Sequence, residues 1–262
     1  MDYQTIQLYV DQRGVATLTL NRPEVRNAFN AEMIHELTDA IADCAQNKAT
    51  RVLVLRGNGA HFSAGADLNW MRSMAGMDFS ENRADAEKLA DLMHGLNTFP
   101  APTIARVTGA AYGGALGLIA CCDMAFASEE ATFCLSEVKL GLVPAVISPY
   151  VIQAIGERAA RRFFLTAEVM NSELAEKLGL ISTRCASDQL DNTIFRTVDS
   201  LLQNGPVALQ EAKQLVRHVA GQSLDSNLRQ HTTDLIARIR VSTEGQEGLT
   251  AFLEKRKPDW SK

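Results

Sequence analysis

Apolar and polar positions alternate over Val15–Leu20 (VATLTL), and the run ends at Asn21-Arg22-Pro23; this predicts a strand stopped by a turn. Asn30 is placed to cap a helix running to about Gln46, with Met33, Ile34, Leu37, Ile41 and Cys44 along one stripe. Residues 52–55 are wholly apolar, which suits a strand covered on both faces. Further on, 84–99 reads as a helix, 103–107 as a strand and 124–127 as another. Strands separated by helical stretches argue for parallel βα units. After about Gly156 helical signals dominate, over 158–166, 172–178, 188–202, 206–219, 224–239 and 243–255. The expected organisation is an α/β core over 1–190 followed by a helical carboxyl-terminal region over 191–262.

Composition narrows the function classes. The 262 residues carry 26 Lys plus Arg against 31 Asp plus Glu, so the net charge is −5, and 46% of positions are apolar. That profile is globular, and a slightly acidic balance does not provide a broad basic face for nucleic acid. The uncharged stretch 107–122 has 16 residues and is rich in Gly, too short to span a bilayer. The amino terminus lacks a basic region followed by an apolar core, so a cytoplasmic location is expected. Five cysteines without zinc-site spacing read as reduced core thiols, and the five histidines include no pair four residues apart.

Familiar catalytic signatures are absent. Phe62 stands where a dinucleotide fingerprint begun at Gly57-Asn58-Gly59 needs its third Gly, and there is neither a GxxxxGK[ST] loop nor a GxSxG elbow. Two Gly-rich turns remain, 61–68 (HFSAGADL) and 109–117 (GAAYGGALG), each after an apolar strand. Such turns can present backbone N–H donors to a ligand oxygen, or can simply let a helix pack close to a sheet. A third element, 133–144, places Glu137 in apolar surroundings. A carboxyl group there titrates nearer neutrality and can exchange protons; the alternative is a surface Glu that caps or pairs.

Five segments together resemble the crotonase (enoyl-CoA hydratase/isomerase) superfamily: Asn21-Arg22-Pro23, the turn ending at Asp67-Leu68, residues 107–123, residues 133–144 and the closing 251–257 (AFLEKRK). The order and spacing are those of the family across essentially the whole chain. The resemblance implies a ββα spiral core with a helical carboxyl-terminal trimerisation region, an acyl-CoA thioester as partner, and assembly as a homotrimer or a dimer of trimers. It implies that the N–H groups of Ala66 and Gly114 hold the thioester oxygen and that Glu137 is the acid/base. Val25, Arg26, Ala28, Ala64, Asp67, Leu68, Tyr112 and Pro144 would line the substrate, with Phe252 and Lys255 reaching the nucleotide end of CoA. No separate cofactor, metal, membrane or nucleic acid is implied.

Many hydratases of this superfamily carry a second glutamate where this chain has Gly117, whereas a lone glutamate at Glu137 is the pattern of its double-bond isomerases. Residues 112–118 and 133–150 look like bacterial methylglutaconyl-CoA hydratases of leucine breakdown, beside a sister group acting on isohexenylglutaconyl-CoA in terpene breakdown. The expected reaction is therefore hydration of a branched 2-enoyl-CoA with a distal carboxylate, with Arg72 and Arg83 as candidate partners for that carboxylate. A 3-enoyl-CoA to 2-enoyl-CoA isomerase is the enzymatic alternative, and a non-catalytic CoA-ester or RNA-binding relative the other.

Overall fold

The computed structural model describes residues 3–261. A hairpin, β1 (Ile6–Val10) and β2 (Val15–Leu20), leads into α1 (Ala31–Gln46) and β3 (Val52–Gly57). Next come α2 (Leu68–Met74), α3 (Phe79–Asn97), β4 (Thr103–Val107), β5 (Ala110–Tyr112) and α4 (Gly114–Cys121). The core continues through β6 (Met124–Ser128), β7 (Thr132–Cys134), α5 (Ser148–Thr166), β8 (Met170–Asn171), α6 (Ser172–Leu178) and β9 (Thr183–Cys185). Helices α7 (Leu190–Leu202), α8 (Pro206–Val219), α9 (Ser226–Arg240) and α10 (Thr243–Leu253) complete it. The strands form a six-stranded sheet ordered β1-β2-β3-β4-β6-β9 and a three-stranded sheet ordered β5-β7-β8.

From β4 onward the chain winds as a spiral, because successive passes supply strands to both sheets. β4 and β6 pair in parallel in the large sheet, and their immediate successors β5 and β7 pair in parallel in the small one. The expected α/β spiral with a helical tail is thus the architecture observed.

Strand β3 explains why residues 52–55 carry no polar position. Leu53 and Leu55 enter the main core, which is packed by α1, α3 and α4, while Val52 and Val54 enter a second cluster with Leu190, Ile194 and Val198 of α7. Alternate side chains point to opposite faces of a strand, so burial on both faces makes every position apolar. All five residues of the expected α1 stripe are buried, and the Asn30 side chain accepts the Met33 N–H at 2.9 Å.

Three expectations shift. Helix α3 begins at Phe79 rather than at 84, because Asp78 and Glu81 form a reciprocal capping box; its first turns are largely exposed, so no apolar stripe marks them. Helix α5 begins at Ser148 rather than at 158, with Pro149 in its first turn, and Gly156 (φ 77, ψ 157) interrupts it. Helix α2 was not expected and is started by the Asp67 side chain, which accepts the N–H groups of Asn69 and Trp70. All five cysteines are free thiols; burial raises the pKa of Cys121 and pushes Cys122 up to about 12, which leaves both poorly nucleophilic at neutral pH.

Candidate active site

Both Gly-rich turns are tied into the small sheet. Ser63 accepts the Tyr112 N–H at 3.0 Å and donates its own N–H to Ala110 at 3.1 Å. On the other side, Phe29 donates to Gly65 at 2.7 Å and accepts from Asp67 at 2.8 Å. These rungs account for the neighbours of Ala66 and leave its own N–H without an acceptor among the described residues. The second turn ends at Gly113 (φ 54, ψ −127), a conformation only glycine adopts readily. The Gly113 N–H donates to Cys134 at 2.8 Å, and the next amide, that of Gly114, opens α4 with no acceptor among the described residues. Two free donors thus flank one cavity, one of them at a helix N-terminus where the backbone dipoles favour negative charge.

Glu137 follows β7 in a short helical turn, 137–140, closed by Gly141 in the left-handed region. A Cβ placed on Gly113 would lie 3.4 Å from Glu137 Oε1 and 3.9 Å from Gly65 Cα, so the carboxyl group and both turns converge. Its other oxygen, Oε2, is buried with no hydrogen-bond partner. Burial raises the Glu137 pKa above the ordinary 4.5, only partly offset by a backbone hydrogen bond. A carboxyl group in this state can carry a proton to or from a reacting carbon or oxygen.

Ala66, Gly114, Glu137 and Pro144 all line a cavity of about 490 Å³. Phe29, Trp70, Met74 and Leu89 supply apolar lining, and Leu142, Val143, Val146 and Ile147 supply more from the 141–147 segment. Two larger hollows, of about 710 and 550 Å³, lie along α5 and α6 and beneath α8. The first is lined by no carboxylate, and in the second Asp123 is already bound to Lys213 at 2.7 Å. Among the described residues no group of three or more His, Cys, Asp or Glu forms a metal site, and no helix is long and apolar enough to cross a membrane.

The other residues singled out in the sequence fall around this cavity or away from it. Ala64 donates to the Arg26 carbonyl at 2.9 Å, which joins the 22–29 segment to the first turn. Val25, Arg26 and Leu68 are exposed, Ala28 is buried, and none of them, nor Ala64, Asp67 or Tyr112, belongs to the cavity wall. Phe252 and Lys255, at the end of α10, are exposed and stand outside the wall too. Arg72 and Arg83 do not face the cavity: Arg72 pairs with Asn69 at 3.0 Å and Arg83 with Glu87 at 3.0 Å, both on exposed helix surface. The charged residue that α3 does present to the cavity is Asp85, two residues on from Arg83, where an arginine was expected.

Ile147 and Gly117 were not read together in the sequence. A Cβ on Gly117 would lie 2.3 Å from Ile147 Cγ2 and 3.0 Å from Met93 Sδ, so hydrocarbon fills the space that a side chain there would need. The site offers no second carboxylate at this position.

Comparison with known proteins agrees with this geometry. A sequence model of enoyl-CoA hydratase/isomerase matches residues 11–262. The chain belongs to that family. The family's 2,3-dehydroadipyl-CoA hydratase of Escherichia coli is 34% identical over 250 residues, covering 95% of this chain and 96% of the relative. An enoyl-CoA hydratase structure from Shewanella pealeana superposes with a TM-score of 0.95 at 50% identity, over 98% of this chain and 96% of the other. Pseudomonas aeruginosa AtuE superposes with a TM-score of 0.94 at 34% identity, over 99% and 100%.

Proposed function

We propose that the protein adds water across the C2–C3 double bond of a branched 2-enoyl-CoA. The observation that carries this is Glu137, whose buried Oε2 has no hydrogen-bond partner, held in one apolar cavity with two free amides. The Ala66 and Gly114 N–H groups hold the thioester oxygen. Glu137 takes a proton from water as its oxygen bonds to C3, negative charge collects on the thioester oxygen, and the proton is then delivered to C2. Donors aimed at that developing charge lower the barrier, each by about 2.7–4 kcal/mol.

The apolar lining of the cavity, about 490 Å³ in volume, suits a hydrocarbon chain, and the branch rests on the sequence resemblance. A glutaconyl-type chain, as in 3-methylglutaconyl-CoA or isohexenylglutaconyl-CoA, rests on the sequence resemblance alone, because the charged side chain at the α3 wall is an aspartate, Asp85, and not an arginine. Asp85→Asn is therefore expected to raise kcat/KM for 3-methylglutaconyl-CoA and leave crotonyl-CoA nearly unchanged; equal effects on both would remove Asp85 from chain selection. The absorbance of the conjugated enoyl band decides the reaction. Its loss from 3-methylglutaconyl-CoA, far faster than from crotonyl-CoA, supports the glutaconyl hydratase. Its appearance from a 3-enoyl-CoA alone would instead assign the isomerase, the reading favoured by the hydrocarbon packed over Gly117.

Hydration needs Glu137 ionised when water attacks. Since its pKa is raised by burial, the rate should climb with pH along a limb displaced above the usual glutamate range. An acid limb centred near 4.5, the ordinary value, would show that another group limits the rate.

The proposal includes assembly as a homotrimer or a dimer of trimers. Exposed apolar side chains in the tail support it: Leu224, Val241, Phe252 and Leu253 are 94%, 78%, 81% and 78% exposed. In this reading the tail helix reaches a neighbouring subunit, where Phe252 and Lys255 meet the nucleotide end of CoA.

A further inference from the structure

Arg22 and Asp67 belong to different segments, and the ion pair between them is mostly withdrawn from water, with side chains 18% and 10% exposed. Arg22 Nη2 donates to Asp67 Oδ2 at 3.0 Å, and Nη1 donates to the Ala28 carbonyl at 2.7 Å. The other Asp67 oxygen accepts from Asn69 at 2.8 Å and Trp70 at 3.3 Å. With its N–H given to Phe29, Asp67 has no polar group left over for a substrate.

The segment on the Arg22 side is built under strain. Arg26 and Asn27 both lie in the left-handed region, at φ 55 and 54, where residues with a side chain are seldom found. What holds them is Asn27, fully buried: its Oδ1 accepts the Arg22 N–H at 2.9 Å, and its Nδ2 donates to the carbonyls of Asn58 and His61, each at 2.9 Å. The strained turn is thereby locked to the strand end that leads into the first Gly turn. Ala64, Gly65 and Asp67 are each tied to this segment, and Ala66 sits among them.

We propose that the Arg22–Asp67 pair is a positioning device for the Ala66 N–H, fixing the direction of that donor toward the thioester oxygen. The inference rests on the oxyanion reading given above. Neither side chain lines the cavity, so losing the pair removes no contact with the acyl chain. It loosens a donor whose contribution grows as charge develops, and such a change lowers kcat more than it alters KM.

Three variants test this: Arg22→Met, Asp67→Asn, which can still cap α2, and Arg22→Lys as the conservative exchange. On the thioester the parent hydrates fastest, kcat should fall by about 10–100-fold in the first two, below the loss from removing a donor outright. KM should change little, and Arg22→Lys should recover part of kcat. Bound 2,4-hexadienoyl-CoA should show a smaller red shift of its absorbance, reporting a less polarised carbonyl. Amide hydrogen exchange over 63–68 should quicken while that over 111–116 stays slow. Quickened exchange with full kcat and full red shift, or unchanged exchange in both Arg22→Met and Asp67→Asn, would overturn the proposal. If the parent hydrates no thioester, exchange and red shift still judge the pair, while the failed assay counts against the hydratase reading alone.

Discussion

Glu137→Gln is expected to cut turnover by about 10²–10⁴, the scale on which a positioned acid/base acts, while the protein stays folded and still binds the thioester. The amide keeps the shape of the carboxyl group and removes only its titration. The same change should not weaken the fold at neutral pH, and the sign follows from burial. Because the folded-state pKa is raised, the folded protein holds the Glu137 proton more tightly than the unfolded chain does. That contribution is present at acid pH and is lost as pH rises through the raised value, where an ionised oxygen without a partner has to be kept out of water. The melting temperature of Glu137→Gln relative to the parent should therefore rise as pH increases from the usual glutamate range toward neutrality, then level off. Turnover close to the parent's in this variant would remove Glu137 from the chemistry.

The largest loss of stability is expected from Gly117→Glu. Its Cβ would stand 2.3 Å from Ile147 Cγ2, and Ile147 is β-branched and 2% exposed, so it has little freedom to turn away. Overpacking typically costs about 1–3 kcal/mol, and an unpaired carboxylate in such a place brings the loss to about 3–5 kcal/mol. For a protein of this size that corresponds to a fall of roughly 6–20 °C in melting temperature. Removing the obstruction as well, in Gly117→Glu with Ile147→Gly, should recover at least half of it. A single Gly117→Glu variant that melts with the parent would mean that the wall formed by 141–147 yields readily, and that a second acid is excluded by something other than space.

The strands that set the architecture were legible because burial leaves a plain mark on them: residues 52–55 are apolar at every position since two cores claim alternate side chains. Helix α1 was legible for the same reason, with Asn30 marking its start. What escaped were helix α2 and the first turns of α3, which are fixed by capping. Asp67 and Asp78 start α2 and α3 through side-chain acceptors, and the exposed turns that follow carry no apolar period. The two Gly turns and Glu137 were legible as candidates from residue type, and their convergence required the parallel pairing of β5 with β7. The far wall was not legible. An arginine and an aspartate two positions apart, Arg83 and Asp85, look alike as helix surface in the sequence, but at 3.6 residues per turn they stand on opposite sides of α3, one toward solvent and the other toward the cavity.

Strands β5 and β7 run in register up to Tyr112 and Cys134, and the Gly113 N–H adds one more rung onto Cys134 just before the chain reaches Gly114 on one side and Glu137 on the other. The separation between the Gly114 amide and the turn that carries Glu137 is thus written in main-chain bonds. Side chains of the 141–147 wall take no part in those rungs. Randomising 142–147, with Gly141 kept because it closes the turn that carries Glu137, is a route to new acyl preferences that leaves this spacing as inherited, much as a lathe keeps its centres when the workpiece is changed.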